Sequence, residues 1–333
     1  MNNLYWAVYQ NLESELLDIA NTIHMDDNQL NVYSVRIADL LVRTVIEIES
    51  ISKQLYEQFG GEMVPKDSEG KPRTLYFDTD CLQLLEEKWE ISKKTVIVSG
   101  TMFFFQREEN KYLSPLRKSY NRGSSGADWK RAYQAVKHER YNNLKQGNLK
   151  NLIRSMAALY LLNIYNSDKT FAGQEFDSRV GSRIFSIDVA YAIRGINTHM
   201  SDNVIMWTGS PREQAMYIEK YTEREIRKWH RQYCTLRHSL NKSIDENEEL
   251  QEAAKDDYDL FHSDIVTITG KLVKNPLWAK HVIKAINEAD MERGKKPIEY
   301  ENVVNKNQEI YPELKWEDVY PGESEMPRSL IVD

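Results

Sequence analysis

The sequence predicts a mainly α fold: a helical bundle with a small β-hairpin insertion and a mostly helical C-terminal extension. Two observations carry that prediction. Apolar residues recur three and four apart along several long stretches, which places them on one stripe of a helix. The charged share of 29% against an apolar share of 41% suits such helices, whose outer faces are solvated. A chain of 333 residues exceeds the usual size of one domain, so two domains, or one helical domain with a large appendage, are expected.

The first element is the stretch from Leu4 to Ile23, with apolar residues at helical spacing and a break at Asp26-Asp27-Asn28. From Asn31 to Phe59, the residues Ala38, Leu41, Val45, Ile48, Ser52, Leu55 and Phe59 form one stripe, and Gly60-Gly61 ends it. These two helices are expected to pair antiparallel. Pro65, Gly70 and Pro72 mark a loop, and Cys81 to Trp89 reads as a short helix. The runs Thr95 to Val98 and Met102 to Phe105 flank Ser99-Gly100-Thr101, a strand–turn–strand pattern, although short apolar runs also read as buried helix. Asn121 to Gly126 is a loop by its Gly and Ser content.

Helices are expected from Asp128, carrying Trp129, Tyr133, Val136 and Tyr141, and from Asn148 to about Tyr165. Four amphipathic segments are the minimum for a closed bundle core. The expected domains are residues 1–166, with an insertion over about 62–126, and residues 167–333. In the second, Ser182 to Val189 predicts a strand, and Pro211 to Ser239 a helix with Ser210 as its cap. Asp245 to Ile268 and Pro276 to Met291 predict further helices, and the proline-bearing tail 295–333 reads as extended and irregular.

Cys81 and Cys234 are the only cysteines, too few and too far apart for a disulfide framework, so a reducing compartment is expected. The N-terminus lacks a basic region, apolar run and small-residue cleavage site in series, and no stretch approaches the roughly 20 apolar residues of a spanning helix. A cytoplasmic protein without membrane attachment is the expectation. The net charge of −7 conceals an asymmetry. Ten Lys or Arg (Arg117, Lys118, Arg122, Lys130, Arg131, Lys137, Arg140, Lys145, Lys150 and Arg154) stand against Asp128 and Glu139 between Arg117 and Arg154, whereas nine acids crowd Ser243 to Asp264. Either run reads as a solvated helix face, and the basic one also as a surface for RNA phosphates.

The chemistry concentrates in Asp128 to Asn143. On a continuous helix Arg131 and His138 are seven residues apart, which leaves them on almost one face and about 10 Å apart along the axis. A guanidinium that holds phosphate and an imidazole that moves protons form a sensible pair for metal-free cleavage of RNA. The histidine would move a proton to or from the ribose 2′-hydroxyl or the leaving oxygen, and the arginine would stabilise charge on the phosphorus oxygens.

The segment from Asp128 to Tyr165, DWKRAYQAVKHERYNNLKQGNLKNLIRSMAALYLLNIY, resembles the helical HEPN group (higher eukaryotes and prokaryotes nucleotide-binding). Many members of that group are RNases in toxin–antitoxin, phage-defence and CRISPR settings. The helix from Tyr33 to Phe59, with Glu49 and Lys53, is similar to the long partner helix of such a bundle. The group's signature is an Arg, four to six residues, then a His near a helix end, and Arg131 with His138 meets its longest form. The resemblance, confined to residues 1–166, implies a HEPN-like bundle that forms a homodimer with a composite site and acts as a metal-independent endoribonuclease, with no metal and no cofactor. Arg131 and His138 would be catalytic. Lys130, Lys137, Arg140 and Lys145 would contact RNA, and Tyr133, Glu49 and Lys53 would support the pair.

Other readings stand beside this one. His138 serves equally as a polar residue closing a hydrogen-bond network with Glu47 or Glu49, Tyr133 or Arg140, in which case the chain is a non-catalytic helical module that binds a protein partner or a nucleotide. Arg224 to His230 and Arg231 to His238 satisfy the same four-to-six-residue signature on the later helix, which also carries Arg227 and Arg237. His230, Cys234 and His238 share a helix face, but the outer two are about 12 Å apart, too far for one tetrahedral ion. The run Phe103-Phe104-Phe105 reads as core or as a surface for stacking bases. No phosphate-loop, serine-hydrolase or zinc-protease motif is present.

Overall fold

A computed structural model describes residues 4–195, 204–256, 270–294 and 297–311. Of the structure described, 55% is helical and 13% is strand, arranged with two sheets of three and five strands. The fold is mixed α/β, and this corrects the mainly α, all-α expectation. The chain divides into two compact units: Met1–Tyr191 with Gly209–Glu219 and Asn302–Gln308, and Ala192–Thr208 with Lys220–Glu301 and Glu309–Asp333.

In the first unit, α1 (Leu4–Ala20) and α2 (Val35–Gln58) are joined by a loop that Asp26 and Asp27 organise. Ser34 caps α2 by accepting from the Ile37 N–H at 3.2 Å, and the chain leaves at Phe59 and Gly60, the latter at φ +82° where a side chain would be strained. A π-helical turn at Phe77–Leu82 runs directly into α3 (Gln83–Trp89). Strand β1 (Val96–Val98) follows, then the short α4 (Glu108–Lys111) and β2 (Tyr112–Leu113). After them come α5 (Asp128–His138), the single turn α6 (Arg140–Asn143) and α7 (Leu149–Ser167). Asn148 caps α7 at the Asn151 N–H, 3.0 Å away, and the Leu149 and Lys150 N–H groups donate to Val32 and Leu30, tying α7 to the α1–α2 loop.

Helix α7 is buried on nearly every side, from Leu149 to Tyr165, with α1, α2 and α5 packed against it. That is why it carries little amphipathic contrast while α2 keeps a polar face. One continuous core joins these helices to Val96, Val98, Leu113 and Phe185 of the small sheet.

The hairpin expected at Thr95–Phe105 is not formed. β1 pairs antiparallel with β2 on one side and with β4 (Phe185–Ser186) on the other, strand β3 (Phe171–Ala172) lying between them in sequence. Met102 to Phe105 turns instead to the α1–α2 loop, where the Phe104 N–H donates to the Met25 carbonyl at 2.7 Å. Gly100 suits this close approach: a Cβ there would sit 3.0 Å from the Arg183 carbonyl oxygen and 3.1 Å from the Ile184 Cα, tighter than ordinary contact.

The second sheet has the order β3-β8-β7-β5-β6, with β5 (Val189–Gly195), β6 (Val204–Gly209), β7 (Tyr217–Tyr221) and β8 (Tyr300–Val304). Two expectations fall here. The helix drawn from Pro211 begins only at Glu223, because Pro211 opens a turn, β7 occupies the next residues, and Thr222 is the true cap. The irregular tail contains β8, and its residues 312–333 lie outside those described.

The second unit gathers α8 (Glu223–Asp245), α9 (Glu248–Asp256) and α10 (Pro276–Arg293) around Leu240, Leu250, Trp278 and Val282. Pro276 takes the first helical position of α10 behind the Asn275 cap. Residues 257–269, which include half of the helix expected at Asp245–Ile268, lie outside those described.

Candidate functional site

Helix α5 spans the interval between the two residues singled out by the sequence: it starts with Asp128 and its last residue is His138. Trp129, Ala132, Tyr133 and Val136 are its buried stripe, with the Trp129 indole donating to the Pro115 carbonyl at 2.8 Å. That stripe turns Arg131, Gln134 and His138 outward together, and all three are exposed. Within one chain the pair is nevertheless not assembled. Arg131 is drawn towards the helix start, donating to Asp128 at 2.5 Å, while the His138 Nε2 lies 3.2 Å from Gln134 Oε1.

A cavity of about 570 Å³ opens beside this face, lined by Glu49 and Lys53 of α2, Leu75 to Asp78, Arg122 and Gly123, and Lys130, Arg131 and Gln134 of α5. It therefore brings together four of the residues proposed from sequence: Glu49, Lys53, Lys130 and Arg131. Lys130 is itself buried, and its ammonium donates to Asp78 and the Ser119 carbonyl, each at 3.0 Å, and to the Asn121 carbonyl. All three of its N–H groups are used. Burial lowers the Lys130 ammonium below its ordinary value, against the pull of Asp78. For Asp78, burial would raise the carboxyl, but hydrogen bonds from Lys130, the Thr79 N–H and Arg122 outweigh it and hold it low. The Arg122 guanidinium lies 3.5 Å from the centroid of the Tyr76 ring while donating to Asp78 at 3.2 Å.

A second cavity, about 480 Å³, opens at the N-terminus of α5 and is lined by Tyr112 to Pro115, Arg117, Lys118, Ser124, Gly126 to Trp129, Arg131, Glu109 and Arg154. Arg131 is common to both cavities. Asp128 is held between Arg131 and Arg154, the latter at 3.4 Å, and the Arg131 hydrogen bond is the main reason its carboxyl stays low.

The remaining proposed residues lie elsewhere. His138, Lys137, Tyr133, Arg140 and Lys145 line neither cavity. Lys137 donates to the Tyr133 hydroxyl at 3.0 Å; burial raises that phenol, the Lys137 hydrogen bond opposes the rise, and the Glu49 charge adds to it. Arg140 pairs with Asp39 at 2.6 Å, and Lys145 is exposed. The polar network joining Lys137, Tyr133 and Glu49 thus forms without His138.

On α8, burial, helped by nearby Arg194, lowers His230 to about 4, whereas His238 is exposed and Cys234 buried. Arg227 pairs with Glu223 at 2.5 Å. Among the described residues, no group of three or more His, Cys, Asp or Glu is placed to hold a metal ion. In the aromatic run, Phe105 is core, Phe103 packs on it, and Phe104 stacks on His24 with centroids 4.8 Å apart.

Sequence reasoning missed Asp78, Gln134 and Tyr76, and listed Arg117, Lys118, Arg122 and Arg154 only as contributors to a charge excess. That excess was the available signal, since five of its ten members line one cavity or the other besides Lys130. Among the described residues no helix is long and apolar enough to cross a membrane. Compared with protein-family models, curated proteins and solved structures, the chain has no match in any of the three.

Proposed function

We propose that this chain is a HEPN-like, cytoplasmic RNA-binding protein that acts as a metal-independent endoribonuclease of a stress or phage-defence response when two copies associate. The observation that carries the reading is the outward stripe Arg131–Gln134–His138, set beside a cavity lined by Lys53, Arg122, Lys130 and Arg131. Lys53, Arg122 and Arg131 are exposed and attract the strand, whereas Lys130, buried against Asp78 with its three N–H groups used, holds the wall and is no RNA contact. Exposed cationic groups give the salt-dependent, sequence-independent part of RNA affinity.

In the proposed reaction the ribose 2′-oxygen attacks phosphorus as its proton is taken, and the bond from phosphorus to the 5′-oxygen breaks as that oxygen gains a proton. The products are a 2′,3′-cyclic phosphate and a 5′-hydroxyl. One imidazole serves one of these two transfers at a time, and Arg131 is tied back to Asp128 on the far side of Gln134 from His138. A homodimer supplies a second imidazole and a second guanidinium, so cleavage is assigned to the dimer and RNA binding to each copy.

The same separation favours a second reading, an RNA- or partner-binding module without chemistry. One experiment decides. Purified wild-type protein, His138→Ala and Arg131→Ala are incubated with total RNA in excess chelator. The nuclease reading expects fragments ending in cyclic phosphate from wild type and at least a hundredfold slower release from His138→Ala, the usual order for loss of a general acid–base. Equal degradation by wild type and His138→Ala, or none by wild type, removes the catalytic assignment.

A further inference from the structure

The cavity at the start of α5 shares only Arg131 with the face proposed for RNA, and the rest of its lining is not used by that reading. Four cations, Arg117, Lys118, Arg131 and Arg154, face two carboxylates, Glu109 and Asp128, an excess of two positive charges. Asp128 is already shared by Arg131 and Arg154. Arg117 and Lys118 have no carboxylate partner among the described residues.

Arg154 adds an independent sign. It projects from α7 with its side chain 24% exposed, and its one described partner is Asp128 at 3.4 Å, longer than a charge-assisted bond normally runs. Burial lowers this guanidinium below its ordinary value, as expected of a cation taken from water without full compensation. Several of its N–H groups remain available to an anion.

The backbone supports the same ligand. Helix α5 begins after Ala127, which offers no side-chain cap, and the N–H groups of Asp128 and Trp129 have no protein acceptor among the described residues. Lys118 holds φ +61°, a left-handed conformation that costs a lysine energy and turns the chain there. Tyr112, Leu113 and Pro115 supply an aromatic and apolar part of the lining, so the cavity is larger than a bare phosphate needs.

We propose that this cavity binds a phosphate monoester of nucleotide size, carried either by a free mononucleotide or by the 5′-end of an RNA strand. A monoester is close to dianionic at pH 7, matching the two excess charges, whereas an internal diester carries one. Tyr112 offers its ring to the base. Neither a long strand nor His138 is required, so the site stands or falls apart from the nuclease reading.

The test is titration calorimetry of the full chain with adenosine 5′-monophosphate, adenosine, and 5′-phosphorylated and 5′-hydroxyl oligouridylates. The probes are repeated with Arg117→Ala/Lys118→Gly, with Arg154→Gln, and with Lys88→Ala as a control on a remote exposed lysine. Glycine at 118 keeps the left-handed backbone, and circular dichroism checks that each variant is folded. The expected result is binding of the monophosphate but not of adenosine, weakened about tenfold to a hundredfold in both cavity variants and unchanged in Lys88→Ala.

A preference for the 5′-phosphorylated strand over the monophosphate identifies the RNA end as the source, and the reverse identifies the free nucleotide; both uphold the site. Equal affinity of phosphorylated and hydroxyl strands with no binding of the monophosphate overturns it and leaves RNA binding intact. So does monophosphate binding that the folded cavity variants do not weaken.

Discussion

Asp78→Asn should destabilise the first unit more than any surface substitution would, because it strips a buried ammonium of its counter-charge. Lys130 is 4% exposed and its Nζ donates to Asp78 and to two carbonyls. Removing one partner of a buried ion pair costs about 3–5 kcal/mol, and the two remaining carbonyl acceptors place this case at the lower end, about 3 kcal/mol. At about 2–4 °C per kcal/mol for a unit of this size, the thermal midpoint should fall by about 6–12 °C at pH 7.

The sign with pH follows from linkage. The Asp78 carboxyl is held below its ordinary value in the fold, so its stabilisation is present above the unfolded value and lost as pH falls through the folded one. Wild type and Asp78→Asn should therefore converge below roughly pH 4. Asp78→Leu combined with Lys130→Met should recover most of the loss, since apolar replacement of both members leaves no stranded charge. Differential scanning calorimetry reads all of these. A midpoint shift below about 2 °C for Asp78→Asn, or a double variant no better than the single, refutes the reasoning.

Two further outcomes follow from buried titratable groups. Burial, with Asp80 adding to it, pushes the Cys81 thiol up to about 12, so in a Cys234→Ser background Cys81 should resist Ellman's reagent at pH 8 until guanidinium is added; rapid labelling of folded protein would contradict its burial. Burial pulls the Lys94 ammonium down to about 8, so the unfolded chain binds more protons between that value and the usual lysine range, and wild-type stability rises with pH there. Lys94→Met should stabilise by up to about 3 kcal/mol at pH 7, with the gain gone near pH 10.5, and urea titrations giving the same gain at both pH values would refute this.

The helices of the first unit were legible because their signals are local. Ser34 and Asn148 are capping residues in front of apolar stripes, and the buried stripe of α5 recurs at three and four residues. Of the short strands, β1 and β4 fall within the runs Thr95 to Val98 and Ser182 to Val189 read as strand, but their pairing was not legible, and β2 and β3 were not seen at all, because two or three residues owe their state to partners far away in sequence. Tyr217 and Ile218 of β7 are buried side by side, with no alternation to reveal a strand, and Pro211 imitated a helix start. For the site, periodicity correctly turned Arg131 and His138 to one face. The Asp128 contact that draws Arg131 away was invisible, since a spacing of three residues predicts reach and not which neighbour is chosen.

Arg131 lines both cavities, so its substitution alone weakens two proposed activities and separates neither. Lys53 and Arg122 belong to the first cavity only, and Arg117, Lys118 and Arg154 to the second. A phosphate entering the second cavity would compete with Asp128 for Arg131 and Arg154, because one carboxylate now holds both guanidiniums. Release from Asp128 frees the Arg131 side chain to extend towards Gln134 and the first cavity, whose wall it already forms. Asp128→Asn should therefore strengthen monophosphate binding in the second cavity by removing the competing charge, as read by calorimetry. Because it also frees Arg131 towards the first cavity, the two cavities are told apart only by substitutions at Lys53 or Arg122 on one side and at Arg117, Lys118 or Arg154 on the other.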